Sequence, residues 1–153
     1  MPSHSAIVCR RTTFEELWLS ARPLMEIHAL QFAIPNLESY LGPWGPIKEA
    51  QERGELVLAE AVVGNSCVGY IAWMIGLHAS LGRGVARMGP WFVDSEYRGS
   101  SVALRLFKFS LTLLRAAGAR YALPTLPLRR SVPRDWLHRL GARPFEITWL
   151  LEL

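Results

Sequence analysis

The sequence has few cysteines and lacks a long apolar run. Cys9 and Cys67 are too few for a disulfide framework, and each lies in an apolar stretch, which predicts buried free thiols in a reducing compartment. No apolar run reaches the roughly 18 residues of a membrane span, and residues 1–6 lack the charged and apolar regions of a secretion signal. These absences predict a cytoplasmic protein that does not cross a membrane. No pattern of metal ligands is recognisable either.

Acidic residues are outnumbered, with 13 Asp and Glu against 17 Lys and Arg, and the net charge is +4. Such an excess favours an anionic ligand or partner. Much of it lies late in the chain, at Arg115, Arg120, Arg129, Arg130, Arg134, Arg139 and Arg143. Nucleic acid is one candidate anion, but no aromatic residues are interleaved with these arginines, so the phosphates of a nucleotide cofactor are the favoured alternative.

The first third of the chain predicts a strand at residues 6–9 and then helices. Thr12 or Thr13, followed three residues later by Glu15 or Glu16, is a capping-box pattern, so a helix should begin at Phe14. Pro23 should interrupt that helix, and a second helical pattern follows it. Residues 41–46 place Trp44 between two Gly-Pro pairs and predict a loop, followed by a short helix over 47–53 that Gly54 ends.

From residue 55 onward the pattern changes to strands. It first predicts three strands, at 56–63, 68–77 and 85–93, with a hairpin turn between the first two and a glycine-rich loop at 81–84 before the third. A long helix ended by Gly118 follows. The remaining predicted elements are a strand at 120–126, a helix at 134–140 and a last strand at 145–151. This order predicts a single domain over residues 1–153 of α+β or mixed α/β class, with helices on both faces of the sheet.

The junction between the 85–93 strand and the long helix predicts an anion site. A helix start leaves backbone N–H groups without partners, and the small residues Gly99, Ser100, Ser101 and Ala103 would let a phosphate approach them. Arg98 can add a charge-assisted contact of about 1.5–3 kcal/mol. The alternative is an ordinary helix start with two serine caps and an arginine that faces solvent.

Residues 98–103, Arg98-Gly99-Ser100-Ser101-Val102-Ala103, resemble the coenzyme A loop of the GCN5-related N-acetyltransferase (GNAT) family, whose pattern is Gln/Arg-x-x-Gly-x-Gly/Ala. The lead-in at 93–99 and the helix end at 139–142 are also similar to that family. The resemblance implies acetyl-CoA as cofactor and an amine as acceptor. It places the pyrophosphate on the N–H groups of Gly99 to Ala103, Val102 included, and the pantetheine along the backbone of Phe92 and Val93. A narrower resemblance links residues 24–54 to acetyltransferase-like proteins of tailed bacteriophages.

The chain departs from the family pattern at two positions. Ser101 replaces the middle glycine, and Leu137 falls where many members have a tyrosine that protonates the departing thiolate. His78 and His28 are the candidate catalytic proton acceptors, and for each the alternative is a histidine without chemistry.

The sequence gives weaker support for a functional role of three further residues. His138 and Glu60 are further proton-transfer candidates, although an outward-facing carboxylate is the favoured interpretation of Glu60. Trp44 lines an acceptor pocket, contacts a protein partner or simply packs.

The sequence therefore favours an acyl-CoA-dependent N-acyltransferase. The alternative is a binding or structural protein that keeps the fold without turnover, such as a phage particle component or a host-interacting effector.

Overall fold

The computed structural model describes residues 6–31, 44–125 and 135–145. The strands are β1 (Ile7–Thr12), β2 (Leu56–Val63), β3 (Ser66–His78), β4 (Gly82–Val93) and β5 (Tyr121–Leu123). The helices are α1 (Phe14–Gln31), α2 (Trp44–Glu52), α3 (Val102–Ala116) and α4 (Asp135–Arg139), and a single 3₁₀ turn covers Ser95–Tyr97.

The five strands form one sheet in the order β1-β2-β3-β4-β5. The first four are antiparallel neighbours, whereas β5 runs parallel to β4. Apolar residues of α1 and α2 pack on one face of the sheet, and those of α3 pack on the other. The predicted mixed α/β class with helices on both faces is therefore confirmed.

The start of α1 follows the predicted capping box. The Thr13 hydroxyl accepts the Glu16 N–H at 3.2 Å, and the Glu16 carboxylate accepts the Thr13 N–H at 3.1 Å. The predicted break at Pro23 is wrong, because α1 continues through it to Gln31. Leu17 and Leu24 are buried on either side of the proline, so packing against the sheet outweighs the loss of one helical hydrogen bond.

Further helix and strand ends differ from prediction in both directions. The predicted loop is wrong at residues 44–46, because α2 already begins at Trp44 and places Pro46 in its first turn, where a missing N–H costs nothing. Residues 41–43 lie outside the described residues. The hairpin turn at Gly64-Asn65 is confirmed, but β3 begins at Ser66, two residues earlier than predicted. Residues 82–84 belong to β4 rather than to a loop, because Gly82 pairs with His78.

The helix and the strand near the end of the chain are shorter than predicted. α4 covers only Asp135–Arg139, and β5 only Tyr121–Leu123. Phe145 is not in a strand, and the rest of the predicted last strand lies outside the described residues, as does residue 126. In the part of the chain that the structure describes, no helix has the length and apolar character needed to cross a membrane.

Candidate functional site

The parallel pairing of β4 with β5 covers only the first half of β4. The pairs are Val85 with Tyr121, Ala86 with Ala122 and Arg87 with Leu123. Beyond Arg87, β4 continues beside β3 as far as Val93, but no described strand pairs with its other edge. Within the described residues, the pairing of β4 with β5 therefore ends at Arg87, and the edge of β4 from Met88 to Val93 has no strand beside it and offers backbone groups to a ligand.

A β-bulge interrupts β4 where this unpaired edge begins. Trp73 pairs with Met88 and Ile71 pairs with Trp91, so the single residue Ala72 lies opposite both Gly89 and Pro90. Bulges occur often next to active sites because they change the direction of backbone groups. Our sequence reasoning missed Gly89 and Pro90, although a Gly-Pro pair inside a strand pattern is itself a signal for a bulge.

The loop from β4 to α3 has the geometry of an anion site. Gly99 has a φ of +82°, which favours glycine, and a Cβ built on it would meet no atom within 4 Å, so the space above the turn is open. Ser101 precedes the first turn of α3 and makes no side-chain capping hydrogen bond.

The backbone N–H groups of Gly99, Ser101 and Ala103 have no hydrogen-bond acceptor within the described ranges. Ser100 and Val102 donate instead to Tyr97 O and Ser100 Oγ, each at 3.3 Å. Three of the five N–H groups predicted to hold a phosphate are thus available, at the helix end that carries partial positive charge.

Arg98 is turned back from that helix end. Its Nε donates to Val93 O at 3.1 Å, its Nη2 donates to Gln31 Oε1 at 2.9 Å, and its guanidinium lies 5.1 Å from the centre of the Phe92 ring. In this arrangement Arg98 connects the loop to the end of α1. A contact between Arg98 and a phosphate, predicted above, would require the side chain to move.

The side of the unpaired edge that faces α3 holds an aromatic cluster. Trp91 lies 5.7 Å from Trp136 and 5.5 Å from Phe107, measured between ring centres. Among the described residues, Trp91 Nε1 is a buried side-chain donor without a hydrogen-bond partner. A buried unsatisfied donor costs about 1–3 kcal/mol, so an acceptor brought by a bound molecule would be stabilised here. The open strand edge, the available N–H groups and this donor fit an elongated phosphate-bearing cofactor such as coenzyme A.

His28 lies on the opposite face of the sheet, in the last turn of α1. Its Nδ1 is 2.8 Å from the Tyr70 hydroxyl, and its ring stacks on Phe92 of β4 at 4.7 Å. His28 and Tyr70 are both buried, at 6% and 1% exposure. The structure thus brings one of the two predicted catalytic histidines next to the strand that carries the bulge, and it adds Tyr70, which our sequence reasoning missed.

His78 lies at the other end of the β3–β4 pair. It is paired with Gly82, five residues along β3 from Trp73, or about 16 Å at the usual rise of a strand. Its Nδ1 accepts the Ser80 N–H at 3.1 Å, and its ring lies 5.6 Å from Phe145. The expectation that His78 lies near the opening between the strands is wrong, because β4 and β5 are paired at this end.

Of the other candidates for proton transfer, Glu60 lies across from Tyr70 in the pairing of β2 with β3, whereas His138 lies on α4. Glu60 is buried at 1% exposure rather than facing outward, because its two carboxylate oxygens accept hydrogen bonds from Arg10 at 2.8 Å and Ser20 at 2.7 Å. His138 is exposed on α4, and its neighbour Leu137 is half-buried there without a hydroxyl.

Among the late arginines that the structure describes, Arg115 and Arg120 do not lie at the start of α3. Arg115 lies in the last turn of α3, about 20 Å along the helix from Ser101, and Arg120 follows that end. Neither can reach a phosphate bound at the helix start. Arg129, Arg130 and Arg134 lie outside the described residues.

An apolar cavity of about 180 Å³ lies between α1, α2 and the sheet, on the His28 face. Gly89 and Pro90 of the bulge form part of its wall, so the cavity reaches the point where β4 separates from β5. Its other lining residues are Phe14, Leu17, Trp18, Met25, Ile47, Leu56, Leu58, Tyr70, Ala72, Trp73 and Met74.

Solved structures of several acetyltransferases are similar to this chain. AAC(6')-Iy in complex with the bisubstrate analog CoA-S-monomethyl-acetylneamine has a TM-score of 0.71 at 14% identity, over 97% of this chain and 99% of that one. Ribosomal-protein-alanine N-acetyltransferase from Brucella melitensis has a TM-score of 0.68 at 14% identity, with the same coverage of 97% and 99%. Glucosamine-6-phosphate N-acetyltransferase from Arabidopsis thaliana has a TM-score of 0.69 at 12% identity, over 96% and 98%.

At these identities the structural likeness establishes the fold. A comparison with the curated proteins gives no match. The model of the acetyltransferase (GNAT) family matches residues 16–133, which is more than half of the sequence. The chain therefore belongs to the GNAT acetyltransferase family.

Proposed function

We propose that this protein transfers an acetyl group from acetyl-CoA to the amine of an acceptor. Membership of the acetyltransferase family supports the reaction class. The observation that carries the proposal is the coincidence, on one strand, of the bulge at Gly89-Pro90 and the end of pairing with β5. The same strand leads directly into the available N–H groups at the start of α3.

The chain offers a continuous surface for the cofactor. The N–H groups of Gly99, Ser101 and Ala103 would hold the pyrophosphate, and the open edge of β4 at Phe92 and Val93 would hold the pantetheine arm. When bound, acetyl-CoA supplies an activated thioester. The bulge would fix the direction of backbone groups beside the reacting carbonyl, and orientation of this kind contributes about 7–11 kcal/mol in well-aligned reactions.

The proposed route for the proton of the acceptor amine runs through Tyr70 and His28. Tyr70 lines the cavity next to the bulge, and its hydroxyl is in hydrogen-bond contact with His28 Nδ1. The tyrosine oxygen can accept a proton while its own proton passes to the imidazole, a relay that typically contributes about 10²–10⁴-fold. His78 stays a second candidate that the same experiments test.

Ser101 offers a direct test of the cofactor site. Replacing Ser101 by Glu puts a carboxylate at the start of α3, where it favours the helix by about 0.3–1 kcal/mol but competes with a bound phosphate. Calorimetry should give a loss of CoA affinity of about 10-fold or more in Ser101→Glu, without a lower melting temperature. Ser101→Gln, of nearly the same shape but neutral, is the matched control and should bind CoA more tightly than the Glu variant. Equal CoA affinity in the two variants would contradict the proposed pyrophosphate site.

A non-catalytic binding role is the alternative function. Leu137 supports it, since it places no hydroxyl where a thiolate acid is expected. Under this alternative, tight CoA binding would occur without thiol release from any amine, and residues around Trp44 would be the first place to look for a protein partner. The narrower resemblance to phage proteins, a cytoplasmic location and a single domain over residues 1–153 also stay predictions.

A further inference from the structure

The apolar cavity beside the bulge has the size of one six-membered ring. Its volume of about 180 Å³ compares with an engineered apolar cavity of about 150 Å³ in another protein, which stays dry and binds benzene. A space of this size and character therefore favours an apolar guest over water.

Two polar side-chain atoms of the lining residues are already engaged. Trp73 Nε1 donates to Ser110 Oγ at 2.9 Å, and the Tyr70 hydroxyl contacts His28 at 2.8 Å. None of the lining residues that the structure describes carries a charge. An ammonium or hydroxyl group deep in the cavity would lose its water without replacement, at a cost of about 2–7 kcal/mol for a neutral group and far more for an ion. A guest would therefore place only its apolar part inside.

The cavity lies on the acceptor side of the sheet. It is enclosed by α1 and α2, whereas the N–H groups that fit a phosphate belong to α3 on the opposite face. The bulge at Gly89-Pro90, beside which the thioester is proposed to lie, forms part of the cavity wall. An acceptor whose apolar part occupies the cavity would hold its amine at Gly89-Pro90, beside Tyr70.

We propose that the preferred acceptor is an arylalkylamine, a primary amine one or two carbons from a single six-membered ring, whose ring occupies this cavity. The inference rests on the proposed acetyl transfer and names its substrate class. It disfavours polycationic acceptors, because the lining provides no carboxylate to pair with a second ammonium group.

The first experiment compares amines with the purified full chain and acetyl-CoA. The value of kcat/KM for 2-phenylethylamine should exceed that for ethanolamine by about 10²-fold or more, since even one buried methylene gives about 10–200-fold discrimination. Spermine should be no better than ethanolamine. A preference for spermine, or equal values for all three amines, would overturn the inference.

Variants at Ile47, which lies on α2 and not in the bulge, can make the cavity volume either smaller or larger. Ile47→Trp should fill the cavity and reduce the preference for 2-phenylethylamine by about 10-fold or more. Ile47→Ala should enlarge it and raise kcat/KM for 1-naphthylmethylamine relative to 2-phenylethylamine. Ile27→Trp makes the same substitution at a half-exposed position of α1 and is the control that should leave both ratios unchanged.

Binding of toluene gives a measurement that does not depend on turnover. Toluene should raise the melting temperature of the wild-type protein and of Ile27→Trp, but not that of Ile47→Trp. Absence of this effect in the wild type would overturn the inference whatever the activity. If CoA does not bind at all, the proposed function fails and the substrate class with it. If CoA binds and ethanolamine releases thiol as fast as 2-phenylethylamine does, only the substrate class fails.

Discussion

At the scale of single residues, the contact between His28 and Tyr70 links a buried histidine to the wall of the cavity. If the pair accepts the proton of the amine, His28→Ala and Tyr70→Phe should each lower kcat by about 10²-fold or more, with CoA affinity preserved. His78→Ala should have little effect, because its ring lies at the paired end of β4 and β5. The measurement is thiol release at several pH values, together with CoA calorimetry.

The shape of the pH profile separates catalysis from packing. A histidine that accepts a proton acts in its neutral form, so removing that histidine should change how kcat depends on pH. A substitution that lowers the rate only because it lowers stability should leave the pH dependence of kcat unchanged. A large loss in His78→Ala with normal His28→Ala activity would identify His78 as the base instead.

The Cys67 thiol is held in its neutral form. Burial raises its pKa to about 12, and the nearby Glu60 carboxylate acts in the same direction. Burial also raises the pKa of Cys9, with an opposing effect from the Arg105 guanidinium. At pH 8 the folded protein should therefore react at Cys67 with iodoacetamide about 10³-fold more slowly than the urea-unfolded chain.

The pH dependence of stability follows from the same shift. An unfolded cysteine has a pKa near 8.5, so the contribution of Cys67 to the free energy of unfolding is fully present below that pH. It is lost progressively as the pH rises from about 8.5 toward about 12. Alkylation at each pH can be followed by peptide mass spectrometry, and native alkylation of Cys67 at the unfolded rate would contradict its burial.

At the scale of the elements, backbone conformation decides the effect of a glycine substitution. Gly118 follows the end of α3 with a φ of +83°, and its N–H donates to Arg115 O at 3.1 Å. Gly118→Ala should destabilise the protein by about 1–2 kcal/mol, because a Cβ is unfavourable at positive φ.

Gly45 provides the opposite case. It lies in the first turn of α2, and a Cβ built on it meets no atom within 4 Å. Gly45→Ala should therefore be neutral or stabilising by up to about 1 kcal/mol. Urea unfolding of the two variants measures both effects, and a destabilised Gly45→Ala variant would mean that the helix does not begin at Trp44.

At the scale of the whole molecule, cofactor binding should stabilise the fold. A ligand present at 100 times its dissociation constant adds about 2.7 kcal/mol to the free energy of unfolding. For a chain of this length that corresponds to a rise in melting temperature of about 5–10 °C. The measurement is thermal unfolding with acetyl-CoA, with adenosine as a control that lacks the pyrophosphate. The absence of any shift with acetyl-CoA would contradict the assignment of the cofactor.

Features that depend on neighbouring residues in the chain were predictable from the sequence. The capping box of Thr13 and Glu16, the hairpin turn at Gly64-Asn65 and the turn at Gly99 before α3 each follow from side chains a few residues apart. Local hydrogen bonds and steric limits on φ determine them. The order of the predicted strands and helices was in turn enough to indicate the mixed fold.

Tertiary structure decided the features that join distant parts of the chain. The bulge exists because Ala72 lies opposite Gly89 and Pro90, and Glu60 is buried because Arg10 and Ser20 reach it from β1 and α1. Packing on the sheet also keeps α1 helical at Pro23, although a proline on its own disfavours the interior of a helix.

The reactive end of the site belongs to this second group. Sequence alone identified His28 and His78 without distinguishing between them. The strand register places His78 at the paired end of β4 and β5, and the packing of α1 on the sheet places His28 beside Tyr70. The apolar cavity likewise requires α1, α2 and three strands together, since no contiguous stretch of the described chain encloses it. The physical reason is that such contacts depend on how the sheet pairs and how the helices pack on it, which local propensity does not encode.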